Sequence, residues 1–365
     1  MNPRLIHSRA LHAILFLLMC GLSACVQTAS VEPVTMNNPL LADPRPWCIG
    51  RLIIDRPARS EVSYEKYEYW GDKIAVASNV STPAFQRKVN MREGELRTEK
   101  RIMSVPLTDE MIRNGGNGLE RTDVPWLDQA VSPTPNSRLL IFKQAAAADR
   151  LFTQEGYLLA GSTMLTMTSG LRPDDIQDSI RLTTDEYRHI TYRDDWTVPT
   201  ERGFCIKGAL IGGPSRNSEL AEQTLVLQPG RPSAFVIKMR DAVDVDQQSS
   251  LLKTLPDLRR DLKAQGNSRN VQIVREGRRQ IAGMDAEEVL FSIREGNLQL
   301  FRFYLIAPGN PDSTAQPHTE IQLILGSASH STLPPDQATS PVDEAGAIQV
   351  WDTLLNSMRL RPGAM

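Results

Sequence analysis

PWCIGRLIID, residues 46–55, and GFCIKGALIGG, residues 203–213, share a pattern when Cys48 is set on Cys205. Ile49 then matches Ile206, Ile53 matches Leu210, Ile54 matches Ile211 and Pro57 matches Pro214. A short apolar run bounded by glycine and proline reads as a buried strand. The repeat predicts that each half of the chain opens on a core strand, one over residues 48–54 and one over 204–211. The polar, proline-bearing join TVPTERG, residues 197–203, precedes the second copy. It sets the expected domains at 44–198 and 203–365.

Working outward, the second half carries TLVLQPG, PSAFVIKMRD, NVQIVREGR, AEEVLFSIRE, LQLFRFYLIAPG and TEIQLILGSA as strand-like runs, with Gly296-Asn297 as a hairpin turn. Leu251, Leu252, Leu255, Leu258 and Leu262 fall on one helical face, with Pro256 as a kink or restart. Ile348, Trp351, Leu354, Leu355 and Met358 repeat at helical spacing after a cap-like Asp343. The first half repeats the scheme more loosely. Its helix starts at Ser81 or Thr82 with Pro83 in the first turn. RLLIFKQ and YLLAGSTMLTMTS read as strands, and DDIQDSIRLTTDEYRHIT as a closing helix. The expected fold is α+β: two related domains, each an antiparallel sheet with one or two packed helices.

The N-terminus sets the compartment. Arg4 and Arg9 precede an apolar run, AILFLLMCGL, too short to span a bilayer as a mature helix. Residues 1–24 therefore read as an export signal. Leu22-Ser23-Ala24-Cys25 resembles the lipobox of bacterial lipoproteins, which implies cleavage before Cys25 and lipid on that cysteine. Residues 25–43 are expected to form a polar, proline-broken tether. Val26 rather than aspartate favours the outer membrane, so the expected location is the periplasm, on a lipid anchor. Cys20 leaves with the signal, and Cys48 and Cys205 remain. An oxidising compartment favours a bridge between them, while two separate buried thiols, one per domain, also fit the duplicated context.

Chemistry is hard to find in this chain. His189, His318 and His330 show no ligand spacing and read as surface residues. Ser162, Ser327 and Ser329 lack the G-x-S-x-G setting of a nucleophile elbow. Asp241, Asp244 and Asp246 lack the glycine and bidentate glutamate of a calcium loop and read as a solvated connection. Asn114-Gly115-Gly116-Asn117-Gly118 has no lysine or strand–helix unit for a phosphate. The expectation is no catalytic, cofactor-binding or metal residue, hence no enzyme and no cofactor. With 41 basic and 43 acidic residues the chain has no electrostatic footprint for nucleic acid.

W-C-I-G-R-x-x-I-D at residues 47–55, together with G-F-C-I-x-G-x-x-I at 203–211, resembles the two-domain immunity proteins that protect bacteria from type VI secretion lipase effectors. The likeness covers the mature chain in outline. It implies that the chain holds a secreted phospholipase toxin in the periplasm, clamps it between two domains and blocks its active-site entrance or lid. Trp47, Cys48, Gly50, Arg51, Asp55, Gly203, Phe204, Cys205 and Gly208 carry over as scaffold. Toxin-contacting residues do not carry over. Loops 104–123 and 308–319 are candidates from length and composition alone. The membrane is contacted through the anchor only. The competing reading is a non-catalytic structural or assembly lipoprotein of the cell envelope.

Overall fold

A computed structural model describes residues 38–146, 151–328 and 332–365. The signal segment, Cys25 and His330 lie outside the described residues. The first half runs through β1 (Pro44–Ile49), β2 (Leu52–Pro57), β3 (Glu61–Tyr69), β4 (Asp72–Ala77) and α1 (Thr82–Thr98). It continues with β5 (Lys100–Ser104), α2 (Asp109–Arg113), β6 (Leu119–Pro125), β7 (Leu127–Val131) and β8 (Ser137–Phe142). It closes with β9 (Phe152–Ala160), β10 (Thr163–Leu171), α3 (Ile176–Arg188) and β11 (Ile190–Tyr192). The second half opens on β12 (Gly203–Ile206), β13 (Ala209–Gly212), β14 (Leu220–Val226), β15 (Ser233–Arg240) and α4 (Leu251–Ala264). Then come β16 (Val271–Ile281), β17 (Met284–Glu295), β18 (Leu298–Ala307), β19 (His318–Leu325), α5 (Pro335–Ala338), α6 (Glu344–Ser357) and β20 (Arg359–Leu360).

The duplication is visible in the pairing. The first half contributes strands in the order β7-β8-β9-β10-β4-β3, and the second half contributes β14-β15-β19-β18-β17-β16. These are the same order read outward from the middle. The central strands β3 and β14 pair antiparallel, Tyr67 opposite Ala221, so the two sheets join into one of 12 strands. The α+β class holds, with its strands mostly antiparallel.

Strand alternation puts the helices on two sides. On one face, Tyr67, Leu225, Phe235, Ile237, Phe303, Leu305, Ile321 and Leu323 share a core with Trp351 and Leu354 of α6. On the other face, α1 buries Phe85, Val89 and Leu96 against Leu140, Phe142, Tyr157 and Leu159. α1 starts as its sequence dictates: Ser81 accepts from the Ala84 N–H and Pro83 sits in the first turn. α4 runs through Pro256 and buries Leu255. The Asp343 carboxylate caps α6 by accepting from the Gly346 N–H at 2.8 Å.

The opening motifs correct the sequence reading twice. First, each is a tight hairpin and not a single strand. Cys48 lies opposite Ile53 in β1–β2, and Cys205 lies opposite Leu210 in β12–β13, the same register in both copies. Gly50, at φ +57°, and Gly208, at φ +68°, make the reversals in backbone conformations that other residues rarely adopt. A Cβ at Gly208 would also collide with the Thr163 side chain.

Second, the hairpins are exchanged. β2 pairs with β20 of the second half, Leu52 opposite Leu360. β13 pairs with β11 of the first half, Ile211 opposite Ile190. The first hairpin packs on α6, and Trp47 Nε1 donates to Gln223 on β14 at 2.9 Å. In return, Phe204 of the second hairpin packs against Tyr69 of β3 with ring centroids 5.6 Å apart. Neither motif founds the sheet of its own half; each completes the other's layers.

Between the hairpins the backbones of Gly50 and Cys205 exchange two hydrogen bonds, at 2.9 and 2.7 Å. Cys48 and Cys205 are disulfide-bonded, Cα atoms 5.9 Å apart, and both are buried. The bridge closes a long chain loop and so limits the unfolded ensemble. Replacing both cysteines with alanine is expected to cost about 2–4 kcal/mol, read from urea denaturation under oxidising conditions.

Candidate interaction surface

Most of the motif residues line the junction between the hairpins. The indole of Trp47 packs edge-on to Trp196 at 5.1 Å, and the Arg56 guanidinium lies over both rings at 4.2 and 4.7 Å. Burial lowers the Arg56 pKa to about 10. Arg51 donates from Nε and Nη2 to both oxygens of Glu219, at 2.8 and 2.6 Å, and also to the Ala364 carbonyl. Asp55 pairs with Arg359 at 3.1 Å near the surface, and its N–H donates to Ser357 Oγ. Gly203 gives its carbonyl to Arg361, Phe204 is buried, and the Gly208 N–H donates to Asp195.

Sequence reasoning missed two arginines that do the same job. Arg193 follows β11 and donates to the carbonyls of Cys48 and Ile206, at 3.2 and 3.0 Å. Arg361 follows β20 and donates to the carbonyls of Pro199, Glu201 and Gly203, at 2.8, 2.6 and 2.6 Å. Burial lowers the pKa of each. They occupy equivalent places in the two halves, just past the last strand, and that alignment was the available signal.

Two further expectations are corrected. His318 is not a surface residue: it is buried at the head of β19, 3.2 Å from Glu320 and 3.6 Å from Asp246. Asp246 is not solvated. It accepts from Arg240 at 2.7 Å and from the Val243 N–H at 2.9 Å, and these bonds hold its pKa down to about 2. His189 is exposed, as expected. Among the described residues no group of His, Cys, Asp and Glu could hold a metal ion. No described helix is long and apolar enough to cross a membrane.

The surface offers a cleft of about 540 Å³ lined by Trp70, Asp72, Gln154, Ser169, Asp178 and Glu186 among others. Burial, then the charge of Asp72, pushes the Glu186 pKa up to about 8. The folded state thus holds a proton that the unfolded chain releases near pH 4.5. Stability from this group is complete below that pH and is lost as pH rises towards 8. Glu186→Gln keeps the neutral shape and is expected to flatten that slope. At pH 8.5 it should raise stability by at least about 1.4 kcal/mol, the worth of one pKa unit, and at pH 4.5 by little. Urea titrations at both values measure it.

The two candidate contact loops differ in character. Segment 308–319 is held down: Thr314 Oγ1 lies 2.6 Å from Ser215 Oγ, and Gln247 donates to the Gly309 carbonyl. Segment 104–123 is instead part of a two-stranded arm, β5 and β6 with α2 between them. Leu107, Ile112 and Leu119 on it are 53, 60 and 50% exposed.

Two family models match in tandem: the N-terminal domain of Tle cognate immunity protein 4 over residues 45–192, and the C-terminal domain over 197–363. No curated relative matches by sequence. Among solved structures, the chain is similar to the apo immunity protein TplEi of the type VI secretion system of Pseudomonas aeruginosa. That likeness has a TM-score of 0.71 at 19% identity, covering 88% of this chain and 98% of that one. It is similar also to a structure of the Tle4-Tli4 complex, with a TM-score of 0.71 at 18% identity over 88% of this chain and 98% of that chain. A third likeness is to TplEi bound to an "L" peptide, with a TM-score of 0.67 at 19% identity over 87% and 98% of the two chains. At these identities the structures speak for the fold. The two tandem domain matches together span most of the sequence, and on them the chain belongs to the Tle cognate immunity protein 4 family.

Proposed function

We propose that this chain neutralises a type VI secretion lipase effector in the periplasm by clamping it between its two halves, domains 44–198 and 203–365, and blocking substrate access. As a member of an immunity-protein family the chain is a non-catalytic inhibitor. The lipase as partner is supported by the similar complex of Tle4 with Tli4. Lipid on Cys25 would hold the inhibitor beside the membrane that a phospholipase attacks.

The observation that carries the clamp is the reciprocal exchange of hairpins, closed by the Cys48–Cys205 bond. Tight inhibition needs a broad surface that loses little freedom on binding. Two halves fixed by each other's hairpins supply such preorganised area, and the motif residues act as the scaffold that fixes them.

The test is survival. Cells exporting a candidate type VI lipase effector to the periplasm, taken from a lipase-like reading frame where one adjoins the gene, are expected to die alone and to live when the chain is co-exported. Undiminished killing in the presence of the exported chain contradicts the proposal. Such a result, with a secretion- or envelope-assembly partner captured instead, supports the assembly-lipoprotein reading.

A further inference from the structure

The two halves serve as an internal control for each other. In the second half, residues 265–270 are enough to join α4 to β16. At the same point of the first half, between α1 and β7, the chain inserts the whole arm of β5, α2 and β6. The second half builds its sheet and its outer helix without an arm. The side chains at the arm's tip are therefore not demanded by the layers beneath.

The arm is anchored at its base and open beyond it. The Ile102 N–H donates to the Gln144 carbonyl at 2.9 Å, and Trp126 Nε1 donates to the Lys100 carbonyl at 3.0 Å. Further out, Leu107, Ile112 and Leu119 are 53, 60 and 50% exposed. Thr108 caps α2 by accepting from the Met111 N–H at 3.2 Å, which fixes the turn that displays Ile112. Clustered exposed apolar side chains mark binding surfaces.

Charge narrows the occupant. Over residues 100–125 four basic residues are balanced by four acidic ones. A segment that docks on an anionic bilayer carries a basic excess to meet the headgroups, and this one has none. A lipase exposes apolar surface where it admits acyl chains, because a chain drawn out of the bilayer would otherwise meet water. A neutral arm with an apolar tip matches that surface.

We propose that this arm is the apolar anchor of the inhibitor, seated against the acyl-chain entrance of the lipase effector. The proposal rests on the clamp reading above and adds to it which part of the first half reaches the effector's substrate path.

The experiment uses the exported full-length chain, the lipase that it protects against in the survival test and vesicles of phosphatidylethanolamine with phosphatidylglycerol as substrate. Leu107→Glu with Ile112→Glu places charge on the tip at exposed positions, where folding is not at stake. A second variant replaces residues 103–124 by the six-residue connector 265–270. Wild type is expected to suppress hydrolysis, and each variant to need at least about 30-fold more protein for half suppression, the loss of one strong anchor. Equal suppression by wild type and both variants overturns the proposal. So does a variant that loses only binding to lipase-free vesicles, which makes the bilayer the occupant, or only self-association, which makes it a second copy. If wild type itself fails to suppress the lipase, the clamp reading fails first and the arm assignment falls with it.

Discussion

Expressed apart, residues 38–202 and 203–365 are expected to remain unfolded, whereas together they are expected to assemble one to one and regain the native transition. The reason lies in the exchange. Without the first half, α6 and β20 lose the hairpin that covers them, and the Trp351 cluster is left open to water. Without the second half, β11 loses β13, and β3 becomes a bare edge opposite nothing. A long unpaired edge invites aggregation, and each fully buried large apolar side chain forfeits about 1.5–3 kcal/mol on exposure. Circular dichroism and sedimentation of the halves, alone and mixed, decide the matter. A cooperative unfolding transition from either half alone would show that exchange is ornamental to stability.

Arg51→Ala is the single substitution expected to weaken the chain most, by about 3–5 kcal/mol. The Arg51–Glu219 pair is buried, the two side chains 4 and 8% exposed, and it ties the first hairpin's turn to the approach to β14. Removing the guanidinium leaves the Ala364 carbonyl without this donor and the buried Glu219 carboxylate without its counter-charge, with the Arg216 N–H, at 2.8 Å, still donating to it. The cost is that of the orphaned charge rather than of the contact alone. Arg51→Met combined with Glu219→Leu removes both charges at similar volume and is expected to recover most of the loss. Guanidinium denaturation of the wild type, the single variant and the double variant measures both parts. A single variant within about 1 kcal/mol of wild type would mean that water reaches Glu219 freely.

How far the sequence was legible follows from the range of each interaction. α1, α4 and α6 were readable because their signals are local: a cap, a proline near the start, apolar residues at helical spacing. The motif repeat was readable for the same reason. Its reversal was not, because Lys207-Gly208 interrupts the apolar run too briefly to break a strand pattern, and only the backbone angle at Gly208 reveals the turn. Which strand each hairpin joins was beyond any local pattern, since β2 meets β20 and β13 meets β11 across the halves. Arg193 and Arg361 looked like ordinary charged residues, as nothing nearby in sequence shows that carbonyls converge on them. His318 and Asp246 were misplaced on the surface because they bury against each other, 3.6 Å apart, across a long stretch of chain that no local pattern connects. The arm was read as a loop because its glycines concealed a short helix between two strands. Its value as a contact candidate came from length, and its apolar tip emerged only with the exposures.

Hydrogen–deuterium exchange on the chain with and without the lipase tests the clamp most directly. The account predicts slowed exchange in both halves on complex formation, in residues 100–125 of the first and in a surface segment of the second, while the disulfide-linked hairpins stay slow throughout. Slowing confined to one half, or absent from both while the lipase is nevertheless silenced, would contradict it.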